Sequence, residues 1–144
     1  MFILKLRSTV VIIVVNKVKK CWNQFEVDAV LEAVSMVCNY YGLERGKILV
    51  DFLKPNNTYD GLCHKKSKHT AKIRIYKNSD FYDCILTAVH EATHAKQFLT
   101  KELTSDLTWY GKTKYKEYDY EAQPWEIEAV KMEKIFLGEE TKTY

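Results

Sequence analysis

The stretch Cys84-Ile85-Leu86-Thr87-Ala88-Val89-His90-Glu91-Ala92-Thr93-His94-Ala95-Lys96-Gln97-Phe98 decides how this chain is read. Its apolar residues Ile85, Leu86, Val89, Ala92 and Phe98 recur at helical spacing, and Asn78-Ser79-Asp80 just upstream supplies a cap. On such a helix His90 and His94 stand one turn apart on one face, so both imidazoles can reach one metal ion. Glu91 is turned aside toward a water on that ion and can take its proton. From 4 His and 12 Glu in 144 residues, about 0.01 matches to H-E-x-x-H are expected by chance.

A tetrahedral catalytic zinc takes three protein ligands and a water, so a third ligand must come from elsewhere. Positions 97 and 100 are Gln97 and Thr100, which excludes the longer metzincin pattern H-E-x-x-H-x-x-G-x-x-H. A carboxylate must serve, and the downstream acids are Asp106, Glu117, Asp119, Glu121, Glu126 and Glu128. A last helix begins at Pro124 and stops near Gly138, with Trp125, Ala129, Met132 and Phe136 as its apolar stripe. Glu128 lies nearer that stripe than Glu126, and a carboxylate near the core needs a partner such as zinc. Glu128 is therefore the expected third ligand, with Glu126 as the alternative.

Outward from this helix the chain reads as α+β. Val10 to Val15 is a β-branched run of strand length, too short to span a bilayer. Asn23-Gln24-Phe25-Glu26 has capping-box spacing and opens a helix whose apolar positions run from Val27 to Tyr41, with Gly42 as the left-handed stop. Ile48 to Leu53 reads as a strand ended by Pro55-Asn56-Asn57, and a Gly- and Lys-containing loop follows. Thr70 to Tyr76 alternates cleanly, Ala71, Ile73 and Ile75 on one face and Lys72, Arg74 and Tyr76 on the other. Its outward charges are those of an edge strand. At this length one domain covers 1–144, with a core large enough to fold without a structural metal. The net charge of +3 is well short of a dedicated nucleic-acid binder. Four cysteines are too few for a disulfide scaffold and imply reduced thiols in a cytosolic compartment. Cys63-His64 with His69 matches no usual zinc spacing. Lys5 and Arg7 interrupt the apolar start, so no secretory signal is expected.

Two helices, two strands with an exposed rim strand, the H-E-x-x-H helix and then a glutamate-bearing helix resemble the small zincin-like domains of gluzincin type, such as minigluzincins and SprT-like proteins. His90-Glu91-x-x-His94-x-x-Gln97, Trp109-x-Gly111-Lys112 and Pro124-Trp125-Glu126-Ile127-Glu128-Ala129 are similar to small metallopeptidases encoded by bacteriophages. The resemblance implies a minimal zincin-like α+β fold with a small sheet. It also implies a Zn2+-dependent peptidase with His90 and His94 as ligands, Glu91 catalytic and a glutamate of the last helix as third ligand, in host cytoplasm if phage-encoded. Many gluzincins carry an Asp four residues after that glutamate; here the position is Met132 or Val130, so Asp106 or Asp119 is expected to support a ligand histidine instead. A polypeptide substrate is expected to pair with Thr70–Tyr76, with Lys72, Arg74 and Tyr76 as its contacts.

The segment between Trp109 and Trp125 is rich in tyrosine. Tyr110, Tyr115, Tyr118 and Tyr120 are the available donors for a developing oxyanion. The tract from Tyr110 to Lys116 also interleaves aromatics with cations, compatible with single-stranded nucleic acid, and SprT-like proteases associate with DNA. Two other readings stay open: a non-catalytic zincin-fold protein binding a peptide, a host protein or nucleic acid, and a zinc hydrolase of non-peptide amides. No membrane association is expected.

Overall fold

The computed structural model describes residues 2–6, 9–78 and 80–138, and its fold is α+β. Ser79, in the proposed cap, and Met1 and Arg7, in the reading of the amino terminus, lie outside the described residues. The elements in chain order are β1 (Phe2–Leu6), β2 (Thr9–Val18), α1 (Gln24–Tyr40), β3 (Gly46–Leu53), β4 (Gly61–Ser67), β5 (Thr70–Tyr76), α2 (Phe81–Leu99) and α3 (Pro124–Phe136). Two single turns of 3-10 helix, Lys114–Glu117 and Tyr120–Ala122, interrupt the long connection from α2 to α3.

The local signals of the helices take the form expected. Asn23 accepts from the Glu26 amide while the Glu26 side chain accepts from the Asn23 amide. Asp80 caps α2 through the Asp83 amide, Pro124 opens α3, and Gly42 stands at φ 62° just past α1. The strands form one sheet in the order β1-β2-β3-β5-β4, with β2, β3 and β5 parallel and the outer strands β1 and β4 antiparallel to their neighbours. The helix α1 makes the crossover that two parallel neighbours such as β2 and β3 require.

This order corrects one expectation. β5 is not an edge: β4 covers it, pairing from Gly61↔Ile75 to Ser67↔Thr70 around a bulge between Lys65 and Ser67. The run His64-Lys65-Lys66-Ser67-Lys68 reads as a loop because charges and a bulge hide its alternation. Those same features protect an exposed edge from unwanted pairing. The outward charges of β5 serve a different end. Lys72 and Arg74 reach the carboxylate of Asp51 on β3, at 3.2 and 3.9 Å, and Asn16 donates to it at 2.8 Å. Asp51 is only 2% exposed, so a buried charge rather than open solvent explains the two cations.

The core lies between the sheet and the helical layer. Ile13, Ile48, Val50, Phe52, Ala71, Ile73 and Ile75 are fully buried, and Val30, Val34, Val37, Ala88, Val89, Ala92 and Ala95 meet them from α1 and α2. The small residues of α2 let that helix lie close to β4 and β5, which brings its histidine turn to the sheet margin. A second cluster of Phe98, Leu103 and Trp125, flanked by Cys63, Trp109 and Tyr115, joins the end of α2 to the start of α3. No helix among the described residues is long and apolar enough to cross a membrane. Cys38 and Cys84 are buried in the core.

Candidate metal centre

Two successive turns of α2 and the first turn of α3 meet at His90, His94 and Glu126. One ligand atom from each lies within 4.8 Å of the other two, a group that could hold a metal ion. His90 Nε2 is 2.9 Å from Glu126 Oε1 and His94 Nε2 is 3.0 Å from Glu126 Oε2. The two imidazoles stand edge to face at 4.9 Å between centroids. Each histidine is also held from behind. His90 Nδ1 donates to Glu133 at 2.7 Å, and His94 Nδ1 donates to the amide oxygen of Gln97 at 2.7 Å. Fixing both Nδ1–H groups leaves both Nε2 atoms aimed at one point, the tautomer that metal ligation needs.

The geometry selects Glu126 over Glu128. Glu126 is 6% exposed beside the imidazoles, whereas Glu128 turns to the other side of the helix. There it accepts from Lys96 Nζ at 2.9 Å and from Gln97 Nε2 at 2.8 Å. Closeness to the apolar stripe misleads because the metal group lies beside the core, not within it. The buried partner that Glu128 needs is Lys96, 4% exposed on α2. Gln97, fully buried, also donates to the Trp125 carbonyl at 3.0 Å, so Glu128 steadies the amide that steadies His94.

Electrostatics follow from these contacts. Burial works against a charged His90, but hydrogen bonds to Glu126 and Glu133 outweigh it and lift the pKa to about 10. Burial would likewise raise Glu126, yet the hydrogen bonds from His90 and His94 hold it well below the ordinary carboxylate range. Glu91 is 8% exposed, and burial raises its pKa against the pull of His94 and His90. A neighbouring acid, Glu126, adds to the rise.

Glu91 and His90 open onto a cleft of about 330 Å³ walled by Thr58, Gly61, Thr87, Tyr120 and Glu133. At Gly61 the edge strand passes so close to α2 that an added Cβ would sit 2.6 Å from Thr87 Cγ2 and 3.0 Å from Glu91 Cγ. Only glycine fits that approach. Of the four tyrosines, Tyr120 alone faces the cleft; burial and its hydrogen bond to Glu126 raise its pKa. Tyr110 instead donates to Glu102 at 2.6 Å, and Tyr115 packs against the second cluster with Tyr118 edge-on to its ring.

Lys72 and Arg74 lie on the sheet face turned away from the helices, so they do not line this cleft. Tyr76 lines a smaller adjoining hollow of about 210 Å³ with Asp60, Asn78, Asp83 and Glu133. Asp106 accepts from Thr104, and Asp119 precedes the Tyr120 turn; neither supports a histidine. That role belongs to Glu133 and Gln97. Glu133 has a readable signal, since it stands seven residues after Glu126 and so on the same face of α3. No protein-family model, curated protein or solved structure matches this chain.

Proposed function

We propose that this protein is a zinc-dependent peptidase of the small gluzincin kind, with His90, His94 and Glu126 as metal ligands and Glu91 as general base. The observation that carries the reading is the convergence of two imidazole Nε2 atoms on one carboxylate, each imidazole held from behind, beside a buried glutamate that opens onto a cleft. Two nitrogens and one oxygen are a donor set that suits catalytic zinc and leaves a coordination position open. Zinc bound there supplies a Lewis acid for a peptide carbonyl and for an attacking water.

The remaining roles belong to the chain. Glu91, with its raised pKa, accepts the proton of the attacking water and returns it to the leaving amine. Tyr120, kept protonated, donates to the oxyanion that develops opposite Glu91. The substrate strand lies along β4. Tyr76 N donates to the Asp60 carbonyl, so by antiparallel alternation Leu62 and His64 also bond inward to β5. Gly61, Cys63 and Lys65 then direct their main-chain groups to the open edge, and Gly61 is the one beside Glu91.

The test is hydrolysis of denatured casein by zinc-loaded protein. Glu91→Gln is expected to lower the rate about 10³-fold with zinc retained. No cleavage by the zinc-loaded parent, or equal cleavage by the variant, would favour a non-catalytic binding protein instead.

A further inference from the structure

The net charge of +3 conceals a separation of charge between the two layers of the fold. Between residues 11–23 and 41–78, the strands and their turns, stand twelve Lys and Arg against three acids. The helix α1 carries three acids and no Lys or Arg, and residues 80–138 carry eleven acids against seven Lys and Arg. The sheet layer is therefore strongly basic and the helical layer, which holds the metal group, is acidic.

Register places much of the positive charge on one surface. Ala71, Ile73 and Ile75 face the helices, so Lys72 and Arg74 face outward, and their cross-strand partners Leu49, Asp51, His64 and Leu62 share that face. Lys47 and, beyond the bulge in β2, Lys17 opposite Asp51 extend it. Lys66 stands at the bulge of β4. Burial and the nearby charges of Arg74, Lys72 and Lys66 lower the pKa of His64, so the cations are close enough to act together. Asp51 offsets two of them from within the sheet. From β2 to β4 the face spans three strand spacings, about 14 Å, the axial length of about four phosphates of one nucleic-acid strand.

We propose that the open face of the sheet binds the phosphate backbone of nucleic acid, without reading sequence, through Lys17, Lys47, Lys66, Lys72 and Arg74. Charge complementarity identifies a polyanion. On the strands that carry these cations, the apolar residues sharing the face, Ile12, Val14, Leu49 and Leu62, are buried or only partly exposed, and Val18, exposed at the end of β2, pairs with core-facing Phe52. That favours nucleic acid over an anionic membrane. The face lies opposite the metal cleft, so the inference is independent of the peptidase reading and both surfaces can be occupied together.

The experiment is fluorescence-anisotropy titration with a labelled dT20 strand and a 20-base-pair duplex across 25–200 mM salt, beside phosphatidylserine vesicles. The parent protein is expected to bind oligonucleotide with a dissociation constant of about 10⁻⁵ M and a log–log salt slope near −3 on the single strand. Lys17→Glu with Lys47→Glu and Lys66→Glu, which leaves the Asp51 pairs intact, is expected to weaken binding more than tenfold and flatten the slope by about 2. Comparing strand and duplex tells which form the face prefers. Lys112→Glu with Lys114→Glu and Lys116→Glu, in the tyrosine-rich connection, is expected to leave binding unchanged. Thermal melting checks that each protein is folded, and single Lys47→Gln and Lys66→Gln variants, each losing about twofold, serve if the triple variant is not. Unchanged binding after the sheet reversals, loss only with the loop reversals, or binding to vesicles but not oligonucleotides would overturn the proposal.

Discussion

At the scale of single residues, the sharpest distinction is between two glutamates two positions apart. Glu126 meets both histidines, whereas Glu128 meets Lys96 and Gln97. Glu126→Gln is expected to weaken zinc binding more than a hundredfold by calorimetric titration, since it removes one of the three proposed ligands. Glu128→Gln, acting through Gln97 on His94, is expected to weaken it only about tenfold. Gly61 gives a second test. Gly61→Ala forces a methyl against Thr87 and Glu91 and is expected to cost about 1–3 kcal/mol by denaturant unfolding. Thr87→Ser in the same chain removes the methyl that clashes and is expected to restore part of the loss. His90, Glu91 and His94 were legible in the sequence because helical spacing alone places them together. The choice of Glu126 was not, because the angle around a helix says which face is apolar and not which neighbour that face meets.

At the scale of elements, the join between α2 and α3 is made by charge as much as by packing. Lys96 Nζ lies 2.7 Å from Glu102 and 2.9 Å from Glu128, and its ammonium sits 4.0 Å from the centre of the Tyr41 ring. Removing it takes the shared cation from two carboxylates and leaves them neutral donors such as Gln97 and Tyr110, so Lys96→Met is expected to cost about 3 kcal/mol. Burial alone would raise the pKa of Glu102, but hydrogen bonds from Lys96 and Tyr110 outweigh it and hold the value below 4.5. A depressed carboxylate contributes stability that is present above its unfolded value and lost as pH falls through the folded one. The melting temperature of Glu102→Gln should therefore fall less than the parent's on going from pH 5 to pH 3. The helices were legible from caps and periodicity, and β5 from strict alternation. β4 was not, because a protected edge is written with lysines and a bulge, the same residues that mark a loop.

At the scale of the whole molecule, the fold sets a basic sheet against an acidic helical layer and places the metal group at the margin of the latter. Composition alone shows only their near cancellation, and the strand register was needed to assign the cations to a face. The metal-free centre has its own pH signature. His90, raised from 6.5 to about 10, contributes stability that is complete below pH 6.5 and lost as pH rises toward 10. Metal-free protein should accordingly melt at lower temperature at pH 9.5 than at pH 6.5, a loss that His90→Asn should reduce. Zinc added at pH 7 should release a proton on binding, measurable as a heat of binding that changes with the ionisation enthalpy of the buffer. The most direct test of the account is an anomalous-difference map at the zinc edge from crystals of the zinc-loaded protein. One peak is expected about 2.0–2.2 Å from His90 Nε2, His94 Nε2 and a Glu126 carboxylate oxygen, open toward Glu91. A map with no peak there, or with zinc held by Glu128 in place of Glu126, would contradict it.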